Sequence, residues 1–197
     1  MVKMSEKIPT LFLAEHSGTL GMCMAVVRIC QQNDAVLVCD ARMAVLKELF
    51  GIRTLELDWP EKRFTMVGVE RVKEELMYPI LKTLGIYRKA LAKAAIISEM
   101  LRTLKESNNM WLFPTGVNNP NAVWAPGSIG LIRKLSSDNS DINLSFVRTG
   151  NFDYEEIPGG KISDFKGKPK EVAAAVEKKY FEMLGKKRSF VPVPMTK

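Results

Sequence analysis

Apolar and polar positions in the first part of the chain form short apolar runs separated by a longer amphipathic stretch. Residues 10–14 (TLFLA) and 35–39 (AVLVC) are apolar runs bounded by polar residues, which is typical of strands buried on both faces of a sheet. Residues 18–33 lie between them and carry apolar side chains at helical spacing, with Thr19 as a suitable N-cap. This stretch therefore predicts a strand, a helix and a second strand.

The same pattern predicts the elements of the rest of the chain. Further strands are predicted at residues 52–59, 110–113 and 142–150. Further helices are predicted at 41–50, at 69–89 with a break near Pro79, at 89–107, from Gly127 onward, and at 169–184. Between the last strand and the last helix, frequent turn-forming residues predict an extended polar loop.

Strands that alternate with helices predict an α/β fold with a mostly parallel central sheet flanked by helices. The sequence contains no linker long enough to divide the chain, so we expect a single domain over residues 1–197. The basic tail at residues 185–197 is a candidate for a flexible segment.

The net charge of the chain indicates the class of its partners, whereas its overall composition is ordinary. With 46% hydrophobic and 26% charged residues among 197, the chain is typical of a globular protein. Lys and Arg total 29 and Asp and Glu total 22, and this net charge of +7 favours phosphates, coenzymes, acidic carrier proteins or anionic membrane surfaces. The alternative is a basic protein without such a partner. No nucleic-acid motif is present, and aromatic residues are not interleaved with the charges, which disfavours nucleic acid.

Cysteine usage predicts a reducing compartment and no metal site. Cys23, Cys30 and Cys39 lie in apolar segments without a CxxC pair, and His16 is the one histidine, which disfavours a zinc site. No apolar run approaches the roughly 18 residues of a membrane span, and the first residues lack a signal-like apolar core. We expect a cytoplasmic protein whose tail, with Phe190 as an apolar anchor, allows peripheral contact with an anionic membrane.

Two loops after predicted strands hold the candidate chemistry. Residues 15–21 (EHSGTLG) follow the first strand, and residues 114–127 follow the strand that ends in MWLF. If the two strands are parallel, both loops open at the same edge of the sheet, where ligands of α/β folds bind. His16 would then lie near the backbone amides of the turn at Gly116, which can hold an anion. The alternative for His16 is a polar residue that caps the following helix or bonds to a loop amide.

The order of these segments resembles the four motifs of the glycerophospholipid acyltransferase superfamily, whose members acylate glycerol 3-phosphate and lysophosphatidic acid. The resemblance covers residues 7–154, and its blocks are LFLAEHSGTLG, VKEELMYPILKTLGIYRK, WLFPTGVNNPN with APGSIGLIRKL, and INLSFVRTGNFDY.

The resemblance implies an acyltransferase fold and a division of roles among the motif residues. His16 would be the general base, and Arg88 would contact the phosphate of the acceptor. The acyl donor would be acyl-coenzyme A or an acyl carrier protein, and no metal or redox cofactor would be needed. The acceptor site would be lined by Phe113, Pro114, Thr115 and Gly116.

The sequence also departs from the family pattern. The aspartate that follows the family's histidine by five residues is Gly21, the asparagine before the histidine is Glu15, and the glutamate of the third motif is Thr115. No arginine follows Gly116. In the serine-protease template, loss of the carboxylate that orients the histidine costs about 10⁴ in rate.

A carboxylate from elsewhere would have to replace the missing aspartate. Glu15, Asp40 and Asp58 are the candidates, but the Glu15 side chain should point away from that of His16 because adjacent residues of an extended segment face opposite sides. The alternative function is therefore a binding protein of the same fold that holds an acyl or phosphorylated ligand, or a protein partner, without this chemistry.

Overall fold

The computed structural model describes residues 8–16, 20–40, 49–57, 93–106, 108–116, 122–149 and 153–185. Most of the helix predicted at 41–50, all of that predicted at 69–89 and nearly all of the basic tail lie outside these ranges.

Six strands of the described chain form one mixed sheet. In chain order they are β1 (Thr10–Ala14), β2 (Ala35–Asp40), β3 (Thr54–Leu57), β4 (Asn109–Leu112), β5 (Asn143–Thr149) and β6 (Tyr154–Lys161). Their spatial order is β3-β2-β4-β1-β5-β6, and every neighbouring pair is parallel except β5 and β6. The prediction of an α/β fold with a mostly parallel sheet is thus confirmed.

Four α-helices of the described ranges pack on the two faces of this sheet. They are α1 (Leu20–Asn33), α2 (Lys93–Lys105), α3 (Pro126–Ser137) and α4 (Pro169–Met183). Alternate residues of β1 divide between two cores: Leu11 and Leu13 pack with α2, α3 and α4, whereas Phe12 and Ala14 pack with α1. Because both faces of β1 and β2 are covered, these two strands are almost entirely apolar, which explains their continuous apolar runs in the sequence.

The connections after β1 and β4 leave the sheet on opposite faces. β1 leads through α1 to β2, and β4 leads through α3 to β5, while α1 and α3 lie on different sides of the sheet. β1 and β4 are neighbours and parallel. In open α/β sheets, adjacent strands whose connections diverge in this way create a crevice at their carboxyl ends, and ligands bind there.

The prediction of a polar loop between the last strand and the last helix is wrong for residues 154–161, which form β6. This strand pairs antiparallel with β5 at the sheet edge, and a proline such as Pro158 is tolerated in an edge strand beside a bulge. Gly159 is required by close packing, since a Cβ there would lie 2.8 Å from the Cβ of Leu144. The register shifts beside Leu144, as expected for a bulge. Residues typical of turns therefore serve here in an irregular edge strand.

Candidate active site

His16 lies just beyond the carboxyl end of β1, at the sheet edge where the connections of β1 and β4 diverge and where a ligand crevice is expected. Its ring contacts the ring of Phe113, the residue after β4, with 4.7 Å between ring centroids and an interplanar angle of 60°. Both side chains are half-buried, so each has one face in contact with the protein and part of its surface open to solvent. The structure thus brings His16, in the first of the two loops that the sequence singled out, against the residue that leads into the second.

Glu15, the residue before His16, faces the opposite side of the sheet. Its backbone N–H donates to the carbonyl of Val147 at 3.1 Å, which extends the pairing of β1 with β5 by one residue. Its carboxylate accepts the backbone N–H of Thr149 at 3.1 Å. Burial is the main cause that raises the pKa of Tyr180 in α4, and the negative charge of Glu15 raises it further. The prediction that Glu15 points away from His16 is confirmed, because His16 contacts a residue on the α1 face.

The turn after β4 is closed by its own backbone. The N–H of Gly116 donates to the carbonyl of Phe113 at 3.1 Å, and Pro114 occupies the second position, where its fixed φ suits a tight turn. The Gly116 amide is therefore used within the turn and does not face a ligand. Pro114 and Thr115 are buried, so among the four predicted lining residues Phe113 and Gly116 have surface to offer a small molecule.

The start of α3 holds this turn in place from behind. The N–H of Ala125 donates to the carbonyl of Pro114 at 2.7 Å. The preceding residue, Trp124, donates its backbone N–H to the carboxylate of Glu177 in α4 at 3.2 Å. Its ring packs edge-on against Tyr180 with 5.3 Å between centroids. The turn is thus tied to α4 by a chain of buried contacts.

Sequence reasoning missed the role of Glu177. Glu177 is only 6% exposed, and the neighbouring positions on its helix face are apolar and buried. A charged residue on an otherwise apolar helical stripe, here between Ala173 and Phe181, was the available signal. Buried carboxylates of this kind are found where they accept a specific hydrogen bond, and Glu177 accepts one from Trp124.

Aromatic packing supports Phe113 from within the α1-side core. Trp111, one residue inside β4 and fully buried, contacts Phe113 edge-on at 5.9 Å and stacks with Phe12 of β1 at 6.2 Å. Phe12, Trp111, Phe113 and His16 therefore form a continuous row of rings along β1 and β4. This row connects the imidazole to the buried core between β1 and α1.

Several predicted site residues fall outside the described ranges. Arg88, Asp58, Ser17 and Thr19 are among them, and the side chain of Asp40 is not described either. The phosphate-contacting role of Arg88 stays a prediction.

The described residues contain no group of three or more His, Cys, Asp or Glu side chains arranged to hold a metal ion. Cys23, Cys30 and Cys39 are free thiols rather than disulfide partners. None of the helices in the described ranges has the length and apolar composition of a bilayer-spanning segment.

Gly116 should not tolerate a side chain. Its φ is +63°, and a Cβ there would lie 3.2 Å from the Cβ of Ala125 at the start of α3. We expect Gly116→Ala to lower the free energy of unfolding by about 1–2 kcal/mol, through left-handed backbone strain together with this contact. Gly127→Ala is the matched control, because a Cβ there meets nothing within 4 Å. Urea denaturation of both variants measures the difference, and equal stabilities would contradict the described turn.

Cys30 should make the fold sensitive to alkali. Burial raises the pKa of its thiol from 9.0 to about 12. Below pH 9 the thiol is protonated in both the folded and unfolded chains, so it has no effect on the pH dependence there. Between pH 9 and about 12 the unfolded chain loses the proton first, and stability should fall by about 1.4 kcal/mol per pH unit.

Cys30→Ala should remove this contribution and give a shallower decline of stability above pH 9. Tyr180, whose pKa is also raised by burial, adds its own decline above about pH 10, and this decline is the same in both proteins. Urea denaturation across the alkaline range is the measurement. Parallel declines in the parent and the variant would show that the thiol is not protected as described.

Comparison of the chain with protein-family models, with curated proteins and with solved structures finds no match.

Proposed function

We propose that this chain is a divergent acyltransferase of the glycerophospholipid acyltransferase type, which transfers an acyl group from a thioester to a hydroxyl of a glycerol-phosphate-like or related acceptor. The donor is acyl-coenzyme A or an acyl carrier protein, and the positive net charge suits both. The site of action is the cytoplasm, with peripheral contact at an anionic membrane surface.

In this reaction His16 acts as general base. Its imidazole takes the proton of the acceptor hydroxyl while the hydroxyl oxygen attacks the thioester carbonyl carbon. The new C–O ester bond forms, the C–S bond breaks, and the proton held by His16 passes to the departing thiolate. Phe113 and Gly116 border the acceptor, and Arg88 contacts its phosphate.

The observation that carries the proposal is the contact between His16 and Phe113 at 4.7 Å, at the carboxyl ends of two parallel strands whose connections diverge. Histidine is the residue type suited to proton transfer near neutral pH, and a half-exposed histidine at such a strand edge is well placed to meet a substrate. The motif order of the sequence adds the reaction class by resemblance.

A second candidate is a binding protein of the same fold that holds an acyl or phosphorylated ligand, or a protein partner. Two observations favour it. Gly21, which stands in α1 at the place of the family's aspartate, has no side chain to orient the imidazole. The carboxylate of Glu15 accepts a hydrogen bond from Thr149 on the other face of the sheet, so it does not replace that aspartate.

One assay separates the two candidates. The purified protein is incubated with radiolabelled acyl-coenzyme A or acyl carrier protein and a panel of glycerol-phosphate acceptors, and His16→Ala is run in parallel. Acyl transfer by the parent that disappears in the variant supports the enzyme. Binding of the donor or of an acceptor without turnover, in both proteins, supports the binding protein.

A further inference from the structure

A second surface, separate from the crevice, carries a concentration of positive charge. The outer side of α3 and the residues that begin α4 enclose an open groove of about 490 Å³. Four basic side chains line it, two on each flank: Arg133 and Lys134 from α3, and Lys168 and Lys170 from the start of α4. We call this surface the cationic groove.

The charges of the cationic groove are only partly neutralised by the protein itself. Lys134 pairs with Asp138 at 2.8 Å, and this contact is the main cause that lowers the pKa of the Asp138 carboxyl. Glu171, the other nearby acid, accepts the backbone N–H of Lys168 at 2.8 Å and so serves as part of the helix cap. Within the described ranges, Arg133, Lys168 and Lys170 form no ion pair. Three cations therefore remain available to an external anionic group.

The backbone that presents these cations is held in one conformation. Pro169 starts α4 with a fixed φ, and Gly167 adopts a φ of +124° with the Glu171 carboxylate against it. The two flanks are fixed relative to each other because α3 and α4 share a buried core that includes Leu131, Leu135, Val172 and Val176. A partner would therefore bind a preorganised array of charges and would not have to order a loop.

The shape and lining of the groove indicate the class of partner. All four cations are exposed, so the groove is shallow and cannot enclose most of a small ligand as small-molecule pockets do. The exposed large apolar residues of the described chain are Met24, Leu49 and Met183, and none lines the groove, which leaves a membrane without an apolar anchor there. No aromatic ring lines the groove for nucleic-acid bases to stack on.

We infer that the cationic groove docks an acidic segment of a partner protein, whose carboxylates lie between the two pairs of cations. Charge complementarity of this kind raises the rate of association and fixes orientation. The groove lies toward the end of α3 remote from the Pro114 turn, since Arg133 is eight residues, or roughly 12 Å of helix, from Ala125. Docking there leaves the crevice at His16 open, and the inference holds whether or not the chain is an acyltransferase.

The test uses the full chain and a fluorescent helical peptide with glutamates at i, i+4 spacing, with a glutamine version of the peptide as the probe control. We expect the glutamate peptide to bind at low salt and the glutamine peptide not to bind. The groove variant Lys168→Glu/Lys170→Glu should weaken binding by roughly tenfold, since each reversal removes an attraction and adds a repulsion.

The matched control is Arg28→Glu/Lys178→Glu, which changes the net charge equally at two exposed positions outside the groove. It should leave peptide affinity within about twofold of the parent at the same ionic strength. If both double variants weakened peptide binding equally, net charge alone would explain the effect and the inference would be overturned. The inference would also be overturned if the groove variant still bound the peptide but no longer bound phosphatidylglycerol vesicles or a single-stranded RNA.

Discussion

Replacing His16 by alanine should lower the kcat of the proposed acyl transfer by about 10²- to 10⁴-fold, the range that a positioned general base contributes. The imidazole is the one side chain of its type in the chain, and its ring contacts Phe113 at the crevice. Without it, the acceptor hydroxyl would have to attack while still protonated or give its proton to water. KM should change much less than kcat, because the lost interaction acts mainly in the transition state.

His16→Asn and Phe113→Leu are the informative companions. Asparagine keeps a polar side chain but cannot act as a base near neutral pH, so it should lose as much rate as alanine. Phe113→Leu keeps the imidazole and removes its aromatic neighbour, so it should retain most of the rate and alter KM. Both positions are at the edge of the core, and thermal unfolding checks that each of the three variants is folded. A parent-like kcat in His16→Ala would rule out the general base.

Where the hydrophobic pattern was strong, the sequence predicted the fold well. β1 was predicted at its observed bounds, and the bounds of α1 and α4 and the start of α3 were placed within about two residues, because apolar runs and helical stripes arise directly from burial on two faces or one. β6 was missed because its Pro158, Gly159 and Gly160 are read locally as turn residues. In the structure these residues belong to a strand that pairs with β5 and passes close to Leu144. Both contacts exist only in the folded chain.

Only the features of the candidate site that follow from the positions of the strand ends could be predicted from the sequence. That the loops after β1 and β4 meet follows from parallel pairing, and the direction of Glu15 follows from the alternation of side chains in an extended segment. The hydrogen bond from Trp124 to Glu177 joins residues 53 positions apart, and no local pattern specifies it. The use of the Gly116 amide within its own turn is likewise a matter of three-dimensional geometry.

The second large effect concerns Trp111. Replacing this fully buried indole by alanine should lower the free energy of unfolding by about 3–5 kcal/mol, because the packing against Phe12 and Phe113 is lost and a cavity remains. That is a large part of the 5–15 kcal/mol that typically holds a domain folded. Trp111→Phe keeps a ring and also removes an indole N–H that has no hydrogen-bond partner among the described residues, so its cost should be smaller.

Phe146 provides the matched comparison, because it is equally buried but lies in the core on the other face, against Tyr180. Phe146→Leu should destabilise the fold to a degree similar to that of Trp111→Phe, on the order of 1–3 kcal/mol, as measured by urea denaturation. Only the tryptophan position is linked through Phe113 to His16, so only Trp111→Phe should change kcat or KM when both variants are assayed fully folded. If both core variants left transfer unchanged, the row of rings would stabilise the sheet without positioning the imidazole, and the geometry of the site would have to be fixed by the turn that Ala125 and Pro114 hold together.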